Sequence, residues 1–274
     1  MTKFSENFLL GASTAAHQVE GVHSFYTEMI KALTEKGYFD DKEPHKLIIC
    51  GDMFDRGSES VAMQKFIMEL LEKDEVILIR GNHEELMLSL INDAEFNFGY
   101  GIQYTHHWSN GTVRTVANLT GVDVFKDDYK DIVNKLRVTP YVKDIIPKTI
   151  NYFETEHYIF VHGWIPCTRL KSWSHYKYNY IPIENWREVG DSQWYEARWI
   201  NGMLAHSQGV KEEGKTIVCG HFHASWGHLW LEHGDDEEVN EEEITDDPYY
   251  ADGIIAIDGC TARTGKVNCI VLED

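Results

Sequence analysis

Basic residues are scarce in this chain of 274. Its 25 Lys and Arg stand against 45 Asp and Glu, a formal net charge of −20. Repulsion on that scale excludes general binding to nucleic acid or to an anionic membrane surface, and leaves room only for a local basic pocket. No run approaches the ~18 apolar residues that a membrane-spanning helix needs. The opening residues carry Lys3 but neither a long apolar core nor a signal-cleavage pattern, so no secretion is predicted and the expected location is the cytoplasm. Cysteines are few and show no pairing pattern. Cys50, Cys167, Cys219, Cys260 and Cys269 are odd in number and form no C-x-x-C motif. Three of them sit inside apolar runs, as small buried hydrophobes do, which fits a reducing compartment.

With 43% hydrophobic residues the chain can bury a core without staples, as one large domain or two small ones. Short β-rich runs recur at Lys46–Cys50, Val76–Ile79, Tyr158–Val161, Thr216–Cys219, Gly253–Ile257 and Lys266–Leu272. Helical periodicity lies between some of them, at Phe25–Lys36, Glu59–Leu71 and Glu84–Ile91. The stretch Asn97–Tyr141, with a helix predicted at Asp127–Leu136, reads as an insertion beside the core, and a second aromatic-rich stretch spans Trp164–Trp199. Glu232–Asp247 holds ten acidic residues in sixteen and reads as a solvated loop.

Four of the β-runs end in a glycine with Asp, Asn or His: Gly51-Asp52-Met53-Phe54-Asp55-Arg56-Gly57, Gly81-Asn82-His83-Glu84, Val161-His162-Gly163-Trp164 and Gly220-His221-Phe222-His223. Apolar strands closing in such clusters predict an α/β sheet with a site at its carboxyl edge. The oxygen and imidazole donors suit manganese, iron or zinc rather than a thiolate site. A single histidine in such a place is usually a core residue. Four motifs in series are not.

These four motifs resemble the metallophosphoesterases, specifically the PPP-type serine/threonine phosphatases and their bacterial relatives, among them the diadenosine tetraphosphatases. The resemblance runs from Val22 to the C-terminus, and Trp108-Ser109-Asn110-Gly111 is similar to a patch of the bacterial members. It implies a two-sheet β sandwich flanked by helices, with two divalent metals at the strand ends. On the matching positions Asp52 would bridge the metals, Asn82, His162 and His221 would complete one, and His23 and His223 would serve the other. Arg56 would grip phosphate with its planar fork. His83, oriented by Asp55, would protonate the leaving oxygen, and a hydroxide held by the metals would attack phosphorus in line. Arg198 is a second phosphate candidate, or else an ordinary surface arginine.

The opening departs from that pattern. The family's Asp-x-His-Gly corresponds here to Gly21-Val22-His23-Ser24, so a glycine stands where a metal-binding aspartate is expected. One metal site is therefore expected to be depleted, unless the adjacent Glu20 substitutes. Phe4 to Gly21 instead resembles the N-terminal signature of family-one glycoside hydrolases of the 6-phospho-β-glucosidase type. The chain is thus read as a foreign head over residues 1–21 on a metallophosphoesterase domain over 22–274. On this reading the head must supply the first strand, and Ala15-Ala16-His17-Gln18 is a poor β-run.

The leading expectation is a metal-dependent phosphomonoesterase acting on a phosphoprotein or a small phosphorylated molecule. The alternatives are a nucleotide or dinucleotide polyphosphate hydrolase, whose bases the aromatic stretches would stack, and a phosphate-binding protein crippled by the lost aspartate. Glycosidase activity rests on the head alone, because the paired carboxylate contexts that glycoside hydrolysis requires are missing.

Overall fold

A computed structural model describes residues 7–11, 25–42, 44–99, 101–171, 178–233 and 244–273. Two sheets face each other. The first is built from β1 (Asn7–Gly11), β2 (His45–Ile49), β3 (Val76–Leu78) and a strand near the C-terminus (Cys269–Glu273), which lies antiparallel to β1 at the sheet edge. β1, β2 and β3 run parallel. The second sheet orders β4 (Phe153–Glu154), β5 (Tyr158–Phe160), β8 (Thr216–His223), β10 (Ile254–Asp258) and β9 (Tyr249–Ala251) side by side, with β5, β8 and β10 parallel. β6 (Cys167–Lys171) and β7 (Tyr178–Pro182) form a separate hairpin, and the C-terminal strand is β11.

Period-two alternation explains the continuous apolar runs. Ile48, Phe160, Val218, Ile255 and Ile257 point between the sheets and form the sandwich interior. Their neighbours Leu47 and Ile49 face the helices over the first sheet, while Ile159, Val161, Ile217 and Cys219 face those over the second. Strands buried on both faces must be apolar at every position. All five cysteines are free thiols.

Helices α1 (Phe25–Glu35), α2 (Ser60–Glu72) and α3 (Asn82–Asn92) lie close to their predicted positions. α4 (Ala94–Gly99) leads into the predicted insertion Asn97–Tyr141, which holds α5 (His106–Ser109), α6 (Thr112–Thr120) and α7 (Tyr129–Arg137). Its residues Val113, Val116, Ile132 and Leu136 join the core that covers the first sheet.

The first strand described is Asn7–Gly11, which contains the apolar Phe8-Leu9-Leu10, while Ala15–Gln18 lie outside the described residues. One expectation changes. β8 runs on through Gly220-His221-Phe222-His223 instead of stopping at Cys219, because β10 keeps pairing with it as far as Asp258 opposite His223, across a register shift. Among the described residues no helix is long and apolar enough to cross a membrane.

Candidate active site

The carboxyl ends of β2, β3, β5 and β8 converge, and each delivers one motif. Asp52, His162 and His221 come together with a ligand atom from each lying within 4.8 Å of the others, all three buried. Asn82 opens α3 beside them, its Oδ1 2.7 Å from His162 Nε2. Asp52, Arg56 and His221 hold φ angles of +53°, +73° and +63°. Such left-handed backbone costs an L-residue about 1 to 3 kcal/mol, and it persists where the surrounding structure enforces a functional geometry. Gly51, at φ +84°, permits the turn itself, since a Cβ there would lie 2.6 Å from both Gly81 Cα and His162 Nδ1.

The donor set fits a divalent metal. His162 Nδ1 lies 2.7 Å from the Cys50 carbonyl, which can only accept, so Nδ1 carries a hydrogen. Nε2 then turns its lone pair toward Asn82 Oδ1 and toward Asp52 Oδ1 at 3.3 Å. Three facing acceptors need a proton or a cation between them. Asp52 Oδ2 and His221 Nδ1 are buried without a hydrogen-bond partner among the described residues. One carboxylate, an amide oxygen and two imidazoles would hold a first-row divalent ion, with the Cys50 bond fixing the His162 tautomer.

Electrostatics follow from this crowding. Burial raises the Asp52 pKa, but the charges of His162 and His83 outweigh it and hold the carboxyl below the usual carboxylate range. Burial alone would lower His83 and His162, and Asp52 reverses both shifts upward. For His221, burial and the nearby His162 win, pulling its pKa down to about 3.

His83 Nδ1 lies 2.7 Å from Asp55 Oδ2, and its buried Nε2 stands 3.9 Å from Asp52 Oδ2 without a hydrogen-bond partner among the described residues. Arg56 is buried, donates Nη2 to Asn110 Oδ1 at 2.9 Å and leaves Nη1 without a partner among those residues. Arg198 is buried rather than superficial. Its Nη1 pairs with Glu85 at 3.2 Å and its Nη2 donates to Asn151 Oδ1 at 2.5 Å. His223 ends β8 and does not belong to the compact acidic and imidazole group. His23, Gly21 and Glu20 lie outside the described residues, as do residues 234–243 of the acidic stretch.

Sequence reasoning missed several residues. Glu84 accepts the backbone N–H groups of Gly81, Asp52 and Met53 at 2.7, 3.0 and 3.2 Å. Thr112 and Thr115 both donate to Asp55. Glu84 stands in the Gly81-Asn82-His83-Glu84 motif without any sign of its bracing role, and no motif or spacing marks Thr112 and Thr115. Asp258 did carry a signal: it is fully buried, closes a β-run at Ile257-Asp258-Gly259 and accepts from Cys260 N at 2.8 Å.

Comparison with known proteins places this geometry. The model of the calcineurin-like phosphoesterases matches residues 19–253, and the chain belongs to that family, whose members are hydrolases of phosphate esters that use divalent metals. A stretch of 93 residues is 28% identical to the asymmetrical bis(5′-nucleosyl)-tetraphosphatase PrpE of Bacillus velezensis. That match takes in 32% of this chain and 37% of the relative, so it spans well under half of the relative's length. Similar solved structures include a metallophosphoesterase from Sphaerobacter thermophilus, at 11% identity and a TM-score of 0.42 over 98% of this chain and 86% of that one. Another is a serine/threonine phosphatase from Saccharomyces cerevisiae, at 11% identity and a TM-score of 0.40 over 98% of this chain and 80% of that one.

Proposed function

We propose that this phosphoesterase hydrolyses phosphate monoesters in the manner of the PPP-type phosphatases. The observation that carries the reading is the His83–Asp55 pair at 2.7 Å, set beside the Asp52, His162 and His221 group. Bound divalent metal, manganese, iron or zinc, would lower the pKa of water and neutralise charge on the phosphoryl oxygens. Asp52, Asn82, His162 and His221 would hold one ion, and His23 and His223 together with Asp52 a second. Arg56 offers its unpartnered Nη1 to a phosphate oxygen and is kept in place by Asn110. Arg198, with its buried Nε, stands as the second phosphate contact. His83 keeps Nδ1 on Asp55 and presents Nε2 to the leaving oxygen, to which it gives a proton.

A second reading, hydrolysis of a dinucleotide polyphosphate, is favoured by the stretch similar to the nucleosyl tetraphosphatase. The head resembling glycosidases supplies a strand in this reading and no activity, and the free thiols suit a reducing cytoplasm.

The test is release of phosphate from p-nitrophenyl phosphate and from diadenosine tetraphosphate with added manganese. Turnover of the first that a chelator abolishes is expected. Turnover of the second alone would move the assignment to the dinucleotide reading. No turnover of either with manganese, iron or zinc would defeat both.

A further inference from the structure

The insertion does more than cover the first sheet. Its segment Asn110-Gly111-Thr112-Val113-Arg114-Thr115 reaches back to the loop after β2 and touches two functional side chains there. Thr115 Oγ1 donates to Asp55 Oδ1 at 2.6 Å, and Thr112 Oγ1 donates to Asp55 Oδ2 at 2.6 Å. The same Oδ2 faces His83 Nδ1 at 2.7 Å. Asn110 Oδ1 takes Nη2 of Arg56. Gly111, at φ +81°, lets the backbone pass so close that a Cβ there would stand 2.7 Å from Arg56 N.

A carboxylate beside an imidazole can turn about its terminal torsion. Three donors remove that freedom. Each Asp55 oxygen takes a threonine hydroxyl, so the plane of the group is fixed. Thr112 and Thr115 stand three residues apart on α6 and so share one face. Thr112 opens that nine-residue helix, whose positive end favours the Asp55 charge. Both threonines are fully buried. Packing alone would be served equally well by valine, which matches threonine in shape without needing a partner.

We propose that Thr112 and Thr115 are positioning residues: their hydroxyls clamp the Asp55 carboxylate so that His83 keeps the tautomer and orientation its acid role requires, while Asn110 and Gly111 fix Arg56 alongside. The proposal rests on the assignment of His83 as the proton donor.

The experiment compares wild type, Thr112→Val/Thr115→Val, Thr112→Ser/Thr115→Ser and His83→Ala. Each is assayed on p-nitrophenyl phosphate, whose leaving group departs easily, and on phenyl phosphate, whose leaving group needs the proton. Metal content and melting temperature are measured in parallel. The double valine variant is expected to keep its metal and its fold and to lose about tenfold more kcat on phenyl phosphate than on p-nitrophenyl phosphate. The double serine variant is expected to recover most of that loss, since it restores both hydroxyls. A double valine variant with equal losses on the two substrates, or with no loss on either, would overturn the clamp while His83→Ala stays impaired. A His83→Ala enzyme at wild-type rate on phenyl phosphate would instead remove the acid assignment, and the clamp with it.

Discussion

The Glu84 carboxylate receives the backbone N–H of Asp52 at 3.0 Å, and the same oxygen receives that of Gly81 at 2.7 Å. Its other oxygen takes Met53 N at 3.2 Å and the Tyr141 hydroxyl at 3.4 Å. One buried side chain therefore ties the loop after β2 to the start of α3, and so fixes Asp52 against Asn82 and His83. Glu84→Ala would leave three buried N–H groups unpaired, a loss of about 3 kcal/mol or more. Urea denaturation should show that loss, and isothermal titration should show weakened metal binding. A stability change within about 0.5 kcal/mol would mean that the loops hold their geometry without it.

Asp52→Ala and His83→Ala should both abolish most phosphatase activity, by different routes. Asp52 stands in the metal group, so its loss should empty the site, which elemental analysis detects. His83 is not a ligand in this reading. Its loss should leave metal content unchanged and slow the poorest leaving groups most, by about a hundredfold or more. Equal metal loss in the two variants would contradict this division.

The parts of the site that the sequence reveals are those that end strands. Asp52, Asn82, His162 and His221 each follow an apolar run within a few residues, so their convergence can be read from the order of the runs. Thr112 and Thr115 carry no comparable signal, and Glu84, though it closes the motif of Asn82 and His83, gives no sign of the three N–H groups it accepts. Thr112 meets Asp55 across 57 residues of chain, and nothing local distinguishes it from a helix N-terminal threonine. β1 was hidden for another reason: its plain apolar triplet Phe8-Leu9-Leu10 is a short run whose closing Gly11 has no Asp, Asn or His cluster beside it. The sheet needs only an apolar strand between β2 and β11, whatever the origin of that strand.

His107 predicts an acid weakness. It is fully buried, both ring nitrogens lack partners among the described residues, and burial, reinforced by the neighbouring His106, pulls its pKa down to about 4. The folded state thus prefers neutral His107, while the unfolded chain takes up its proton near pH 6.5. Its contribution is intact above pH 6.5 and is lost as pH falls toward 4, by roughly 3 kcal/mol in all. Denaturation curves at pH 7.5, 5.5 and 4.5 should therefore fall less steeply with pH in His107→Leu than in wild type. Parallel curves for the two proteins would show that the imidazole is relieved by relaxation instead.

The acidic stretch should divide into dispensable and anchoring parts. Asp246 pairs with Arg263 at 3.4 Å, and its carbonyl accepts from Asn268 Nδ2 at 2.7 Å. Asp247 pairs with Lys266, and its carbonyl meets His228 Nε2 at 3.2 Å. Deleting 235–243 should change the melting temperature little, because that run is too charged to be buried. Extending the deletion through Asp247 removes the anchors of α10 (Ala224–Leu231, with α8 at Asp191–Ala197 and α9 at Gly202–Ser207 before it) and of the approach to β11. It should lower the melting temperature by several degrees, about 1 to 2 kcal/mol. Differential scanning calorimetry of the two deletions decides the point, and equal melting temperatures would assign no role to the anchors.

The missing aspartate sets the last expectation. β1 is described over Asn7–Gly11, and Gly21, which the proposed alignment sets against the family's metal-binding aspartate, lies outside the described residues. With Gly21 there, the proposed second metal keeps only His23, Asp52 and His223 from the protein, whereas the first keeps Asp52, Asn82, His162 and His221. An anionic ligand is worth most where the ion's own charge dominates the site, so its loss weakens one ion more than the other. Calorimetric titration with manganese should therefore resolve one tight and one weak ion, and Gly21→Asp should tighten the weak one by about tenfold or more. Two tight ions in the wild type, unaffected by Gly21→Asp, would refute the alignment of the opening. If one of those two disappeared in Glu20→Gln, the neighbouring carboxylate would be identified as the substitute ligand.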